Sequence, residues 1–258
     1  MKIVVLVKHV PDTAGERRFT DTGLLDRAGD DGRLCELDEY AVEQALRLAE
    51  SLPHASVSYL TMGPADAADS LRKALAMGGD EAVHVCDEHL AGADYLTTSL
   101  ILATTIQALG FDLVLTGMAS TDGGGGVLPA MLAQRLGIAQ LTLAAQLELA
   151  DGVVRVRRDG DRGSEQLAAA LPAVVSVTDR SGEARYPTFK GVLAAKKKPV
   201  QTWTLAELGL EADDPALSPA TRVLGVTARP ARTAGTVVHD EGVAAAQLAD
   251  FLAARQLV

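Results

Sequence analysis

The chain has 258 residues, enough for one large or two modest domains at roughly 100–200 residues each. Its net charge of -10 argues against a broad nucleic-acid surface, which needs an excess of Lys and Arg. Two cysteines far apart in sequence, Cys35 and Cys86, leave no zinc spacing and no disulfide framework. With 48% hydrophobic but only 3% aromatic residues, the core must be built from Val, Leu, Ile and Ala. That composition favours an α/β fold whose aliphatic parallel strands are buried on both faces.

Ile3 to Val7 reads as a short buried strand directly behind Met1-Lys2. That run is too short for a signal segment with a cleavage site, and no apolar run approaches the ~20 residues that cross a bilayer. The expectation is a cytoplasmic protein without membrane insertion. A long polar stretch from Pro11 to Leu37 follows, of the kind that is often functional. Asp38 reads as a helix N-cap, with Val42, Ala45, Leu46, Ala49 and Leu52 at helical spacing behind it. Val57 to Thr61 is a second strand. Ala67 to Met77 is a second helix with Leu71, Ala74 and Leu75 inward, ended by Gly78-Gly79. Ala82 to Cys86 is a third strand, and Tyr95 to Leu109 a third helix carrying Leu96, Leu100, Ala103 and Leu109 inward. Leu113 to Gly117 is a fourth strand, followed by a glycine loop and a helix opening at Val127. Four alternations of strand and helix imply a doubly wound, mostly parallel sheet.

The rhythm then changes. Leu141 to Leu149, Val153 to Arg157 and Gln166 to Ala170 are short strands with little helix between them, an added antiparallel part. Ala173 to Val177 is another buried strand. Glu211 to Pro219 reads as an acidic linker, Arg222 to Thr227 as a short strand, and Val243 to Leu257 as a last amphipathic helix. The expected division is a nucleotide-binding α/β domain over residues 1–198 and an extended C-terminal arm over residues 199–258 that reaches onto another subunit.

The loop Asp122-Gly123-Gly124-Gly125-Gly126 lies between a buried strand and the helix opening Val127-Leu128. Glycines let a backbone approach a ligand closely, and free N–H groups with the helix dipole favour phosphate. The alternative is a flexible loop that binds nothing. If the first and fourth strands are neighbours where strand order reverses, Lys8 to Asp12 and Gly117 to Gly126 converge on one crevice. Phosphates would then lie on the Gly123–Gly126 backbone and a base near Cys35 to Asp38. A solvated charge is the commoner fate of a lysine such as Lys8. His9, His54, His84, His89 and His239 form no metal spacing, and a catalytic constellation is not visible. His84 reads as a packed or edge histidine in a strand, and Cys86 as a buried strand residue. In the segment Arg185-Tyr186-Pro187-Thr188-Phe189-Lys190-Gly191 through Lys196-Lys197-Lys198, an acidic chain carries a basic cluster around an apolar residue. Charge that steers and an apolar residue that anchors suit docking on an acidic partner. An ordinary solvated lysine run is the alternative.

Together these residues resemble the β subunit of electron transfer flavoprotein over essentially the whole chain. The opening Val7-Lys8-His9-Val10-Pro11-Asp12 looks like that family's first strand and loop, and Leu37 to Leu46 like its first helix. Gly117 to Leu128 looks like its nucleotide loop, with glycines where more polar residues are common. Leu171-Pro172-Ala173-Val174-Val175-Ser176, the segment from Arg185 to Lys198, and Thr233-Ala234-Gly235 also match. Cys35 departs from the family's common Asn, and Arg162 from its usual Gly or acid.

The resemblance implies a Rossmann-like fold of the adenine nucleotide α-hydrolase kind and an αβ heterodimer that is an electron carrier rather than an enzyme. FAD would be held mainly by the α subunit and covered by this chain, which would itself hold a structural AMP. In the electron-bifurcating branch a second FAD takes that place. Carried over, the nucleotide contacts are Leu6, Cys35, Glu36, Leu37, Asp38, Met62, Gly117, Met118, Ala119, Ser120, Thr121, Asp122, Gly123, Gly124, Gly125, Gly126, Val127 and Leu128. Thr13 and Leu37 are candidate flavin neighbours. The docking residues are Arg185, Tyr186, Pro187, Phe189, Lys190, Lys196 and Lys197. Acyl-CoA or related dehydrogenases, as in fatty acid oxidation, would donate electrons, and a quinone oxidoreductase would accept them. A universal-stress-type adenine nucleotide sensor accounts for residues 1 to roughly 137 alone.

Overall fold

A computed structural model describes residues 1–15, 18–27, 32–227, 229–230 and 234–258. The chain divides into two units, Met1–Leu224 and Gly225–Val258. The first is an α/β domain. In chain order it contains β1 (Lys2–Leu6), β2 (His9–Val10), β3 (Arg33–Leu34), α1 (Glu36–Ser51), β4 (Ser56–Met62), α2 (Ala67–Met77), β5 (Glu81–Val85) and α3 (Tyr95–Leu109). Then come β6 (Leu113–Gly117), α4 (Leu128–Leu136), β7 (Ala139–Ala150), β8 (Val153–Gly160), β9 (Gly163–Ala170), β10 (Ala173–Val177), α5 (Phe189–Ala195) and β11 (Val200–Trp203).

Nine strands form one sheet in the order β11-β5-β4-β1-β6-β10-β7-β8-β9. The strands from β11 to β7 pair in parallel, and β8 and β9 continue antiparallel. Strand residues alternate between two cores, as a period of two requires. Ile3 and Val5 of β1 and Leu113 and Leu115 of β6 pack with Val42, Ala45, Leu71 and Leu75 of α1 and α2. Val4 and Val114 face the other way, onto Ile101, Ile106, Leu132 and Ala133 of α3 and α4. The sheet is therefore doubly wound. β1 pairs with β4 on one side and β6 on the other, so strand order reverses at the β1/β6 junction.

Several expectations need correction. Helix α1 starts at Glu36 with Cys35 at its N-cap, so Asp38 lies inside the first turn and caps nothing. Leu96 is 49% exposed; the inward face of α3 is carried by Ile101, Leu102 and Ile106 instead. Arg222 to Thr227 forms no strand. Cys86 lies just past β5 and is only half-buried. Residues 200–203, expected in the arm, pair with β5 as an edge strand, and the compact unit runs on to Leu224. His84 takes the packed of its two expected positions: it is buried in β5 and contacts the Gly63 carbonyl at 3.1 Å.

The second unit contains α6 (Ala244–Ala254), which has no buried residue; Leu248 and Phe251 remain exposed. Thr233, one of the tail residues that carried the resemblance, lies outside the described residues.

Candidate functional site

The parallel strands β1, β4 and β6 end side by side at Leu6, Met62 and Gly117. Beyond the last β1/β6 pair, Val5 with Leu115, the two strands part, and the N-terminus of α1 fills the gap. Asp38 accepts the Lys8 N–H at 2.8 Å on Oδ2 and the Gly117 N–H at 3.3 Å on Oδ1. One buried carboxylate thus holds both strands where they separate. The close approach needs a glycine: a Cβ on Gly117 would fall 2.5 Å from Asp38 Oδ1 and 2.7 Å from the Leu37 carbonyl oxygen. Burial pushes the Asp38 carboxyl up to about 7, against the pull of the two backbone donors and Lys8.

Cys35, ahead of α1, is fully buried, and its thiol points at the Ala119 carbonyl 3.9 Å away. Burial, with the Asp38 charge, pushes the thiol up to about 11, so it stays protonated and unreactive. It also ties the start of α1 to the loop after β6.

That loop is braced by charge. The Asp122 side chain, 2% exposed, accepts Lys8 Nζ at 2.9 Å on one oxygen and the Arg27 guanidinium on the other. Burial opposes ionisation, but Lys8, Arg27 and Ser120 hold the carboxyl well below the usual carboxylate range. Lys8, its side chain 43% exposed, is therefore paired with the loop that it braces and is not an isolated surface charge.

The free donors lie further along the glycine run than expected. The Gly123 N–H is taken by Ser120 Oγ at 3.2 Å and Asp122 Oδ1 at 2.7 Å, and the Gly124 N–H by the Ser120 carbonyl at 2.9 Å. The N–H groups of Gly125, Gly126, Val127 and Leu128 have no hydrogen-bond partner among the described residues. They open the first turn of α4, where the helix dipole adds positive potential. Gly124 and Gly126 hold φ of 61° and 63°, a region costly for other residues.

The neighbouring strands β1, β4 and β6 thus end at Leu6, Met62 and Gly117, with Cys35 to Asp38 at the start of α1 against Gly117 and Ala119 and the loop 118–128 running on from β6. Thr13 is exposed on the loop after β2. Sequence reasoning missed Tyr95, the first residue of α3, whose hydroxyl lies against Gly125. An aromatic in an aromatic-poor chain, at a helix start, was the available signal.

A second surface lies on α5. Its N-cap Thr188 accepts the Gly191 N–H at 3.0 Å. Arg72 of α2 donates to the Ala195 and Lys198 carbonyls at 2.7 and 2.9 Å, and Lys198 Nζ donates to the Leu75 and Gly78 carbonyls at 2.8 and 3.2 Å. Lys198 thereby satisfies the open C-terminal carbonyls of α2. Arg185 also turns inward, donating to Glu43 Oε2 at 2.7 Å and to Glu50 Oε1 at 2.5 Å. What faces outward is Tyr186 at 91% exposure and Phe189 at 81%, with Val192, Leu193, Lys190, Lys196 and Lys197 exposed beside them. A groove of about 460 Å³ runs between α2 and α5, lined by Arg72, Lys73, Ala76, Pro187 and Val192. α5 packs so closely that a Cβ on Gly191 would lie 2.3 Å from the Ala76 carbonyl oxygen. Gly191→Ala is expected to unseat α5 at a cost of about 1–3 kcal/mol, measurable by chemical denaturation.

Among the described residues, no helix is long and apolar enough to cross a membrane, and no His/Cys/Asp/Glu cluster could hold a metal ion.

Residues 22–208 match the family model described as the electron transfer flavoprotein domain. The chain belongs to the electron transfer flavoprotein family. Within that family its full-length likeness is to the β subunit. It is 44% identical to the electron transfer flavoprotein subunit beta of Mycobacterium tuberculosis (strain ATCC 25618 / H37Rv) over 99% of each chain. It is 31% identical to the subunit beta of Megasphaera elsdenii, over 93% of this chain and 92% of that one. It is also 32% identical, over 92% of each, to the caffeyl-CoA reductase-Etf complex subunit CarD of Acetobacterium woodii.

Proposed function

We propose that this chain holds one AMP in the cradle at the β1/β6 junction and covers one side of an FAD bound mainly by an α subunit. The observation that carries the reading is the set of unpartnered N–H groups from Gly125 to Leu128, opening at the strand ends where strand order reverses. The donor set suits a phosphate. It consists of backbone dipoles, with the loop's own carboxylate, Asp122, already neutralised by Lys8 and Arg27.

FAD supplies the redox chemistry when bound. This chain's residues position and cover: the cradle fixes the ends of β1 and β6, and Phe189 with its lysines receives partner proteins. The protein would act as a carrier, taking electrons from acyl-CoA dehydrogenase-type flavoenzymes and passing them to a quinone oxidoreductase in the cytoplasmic compartment. Exposed α6, with Leu248 and Phe251 uncovered, is the part expected to lie on the α subunit.

Co-expression with an α subunit is expected to give a yellow heterodimer. Mass spectrometry of the nucleotides it releases on denaturation should find one FAD and one AMP. Two FAD per heterodimer would replace the AMP reading with the bifurcating one. A colourless homodimer indifferent to the α subunit, or one releasing ATP as a sensor would, would sink the carrier reading.

A further inference from the structure

The loop after β6 has glycine at four successive positions, Gly123 to Gly126. The structure gives the glycines two separate reasons. Gly124 and Gly126 need positive φ. Gly125 is needed for space, and the occupant of that space is Tyr95; Gly123 sits tightly between Ser120 Oγ and Tyr95, a Cβ there lying 3.2 Å from each. A Cβ on Gly125 would lie 2.0 Å from the Tyr95 hydroxyl oxygen.

Tyr95 is held there. It is the first residue of α3, and the preceding Asp94 caps the helix by accepting the Thr97 N–H at 3.0 Å. Asp94 also accepts the Ala220 and Thr221 N–H groups at 2.9 and 3.0 Å. Arg135 of α4 donates to Ser99 Oγ at 2.7 Å and to the Leu96 carbonyl at 3.0 Å, locking α3 to the helix whose N-terminus forms the cradle. The Tyr95 hydroxyl itself has no hydrogen-bond partner among the described residues, and Tyr95 is 41% exposed. A hydroxyl donor thus stands against Gly125, the residue that carries the first unpartnered amide of the loop.

We infer that Tyr95 is a phosphate-binding residue of the nucleotide cradle, the side-chain donor that the glycine run lacks, supplied from a neighbouring helix. The inference rests on the nucleotide reading above. A tyrosine is suited to the task because its hydroxyl donates while neutral, adding no charge beside the paired Asp122.

The test uses the complex with its α subunit, stripped of nucleotide, and titrates AMP and adenosine into wild type and Tyr95→Phe. A hydrogen bond to a charged oxygen predicts AMP binding weakened about tenfold or more in Tyr95→Phe, with adenosine binding unchanged. The conservative ring leaves packing in place, and an unchanged melting curve checks that. AMP affinity within about twofold of wild type would overturn the Tyr95 assignment while leaving the cradle intact. Equal weakening of AMP and adenosine would overturn it too, because the hydroxyl would then not be reading the phosphate. If wild type itself binds no AMP, the nucleotide reading falls and the role of Tyr95 falls with it.

Discussion

Phe189→Ala is expected to slow electron delivery from an acyl-CoA dehydrogenase by about 30-fold at sub-saturating dehydrogenase, the size of a hot-spot loss near 2 kcal/mol. The ring is 81% exposed and stands beside exposed Tyr186, Val192 and Leu193, with Lys190, Lys196 and Lys197 exposed near it. A surface with an apolar centre and positive flanks anchors through the ring and steers through the charge. The defect should therefore appear in the dependence of rate on dehydrogenase concentration. Raising ionic strength should slow wild type and mutant alike, because the lysines remain. FAD and AMP content should not change. α5 packs on the last turns of α2, whose C-terminal carbonyls take Lys198, and the cradle opens at the other end of the strands that α2 follows and precedes. Unchanged stopped-flow rates across a dehydrogenase titration would remove Phe189 from the docking surface.

The elements legible in the sequence were those whose own pattern fixes them. α2, α3, β6 and β10 have the bounds their apolar runs predict, although α3, apolar nearly all round, turns a different face inward from the one expected. β11 escaped notice because its four residues have no distinctive pattern; they form a strand because β5 offers a parallel edge. Arg222 to Thr227 has strand-like residues but no ladder to join, and propensity without a partner makes no strand. Charge was legible as a total and not as a set of pairings. Arg185 and Lys198 look like members of one basic surface, yet one neutralises Glu43 and Glu50 and the other caps α2. The glycine loop was readable from its own residues. Tyr95 was not, since its place over Gly125 depends on how α3 and α4 dock.

Asp38 shows the same limit with larger energetic consequence. Its place before an apolar run suggests a cap, but its partners are backbone amides at Lys8 and Gly117, far away in sequence. Asp38→Ala would leave two poorly hydrated N–H groups without an acceptor, a loss of about 2–6 kcal/mol at roughly 1–3 kcal/mol for each group. AMP retention should fall with it, since the ends of β1 and β6 are no longer joined. Asp38→Asn isolates the charge. In the unfolded chain the carboxyl titrates near its ordinary 3.8, and in the fold near about 7. Below the lower value both states are protonated and the group adds no pH dependence. Between the two values the unfolded chain has released the proton and the native state has kept it, so stability falls as pH rises. Above about 7 both are ionised and the loss is complete. Asp122 acts in the opposite direction: its depressed titration adds stability above the ordinary carboxylate range that is lost on acidification. Comparing wild type with Asp38→Asn cancels that term. Chemical denaturation of the heterodimer between about pH 5.5 and 8 should show wild type losing on the order of 1 kcal/mol per pH unit relative to Asp38→Asn, levelling off above about 7. A constant difference across that range would mean that Asp38 is ionised throughout and that its two backbone donors outweigh its burial.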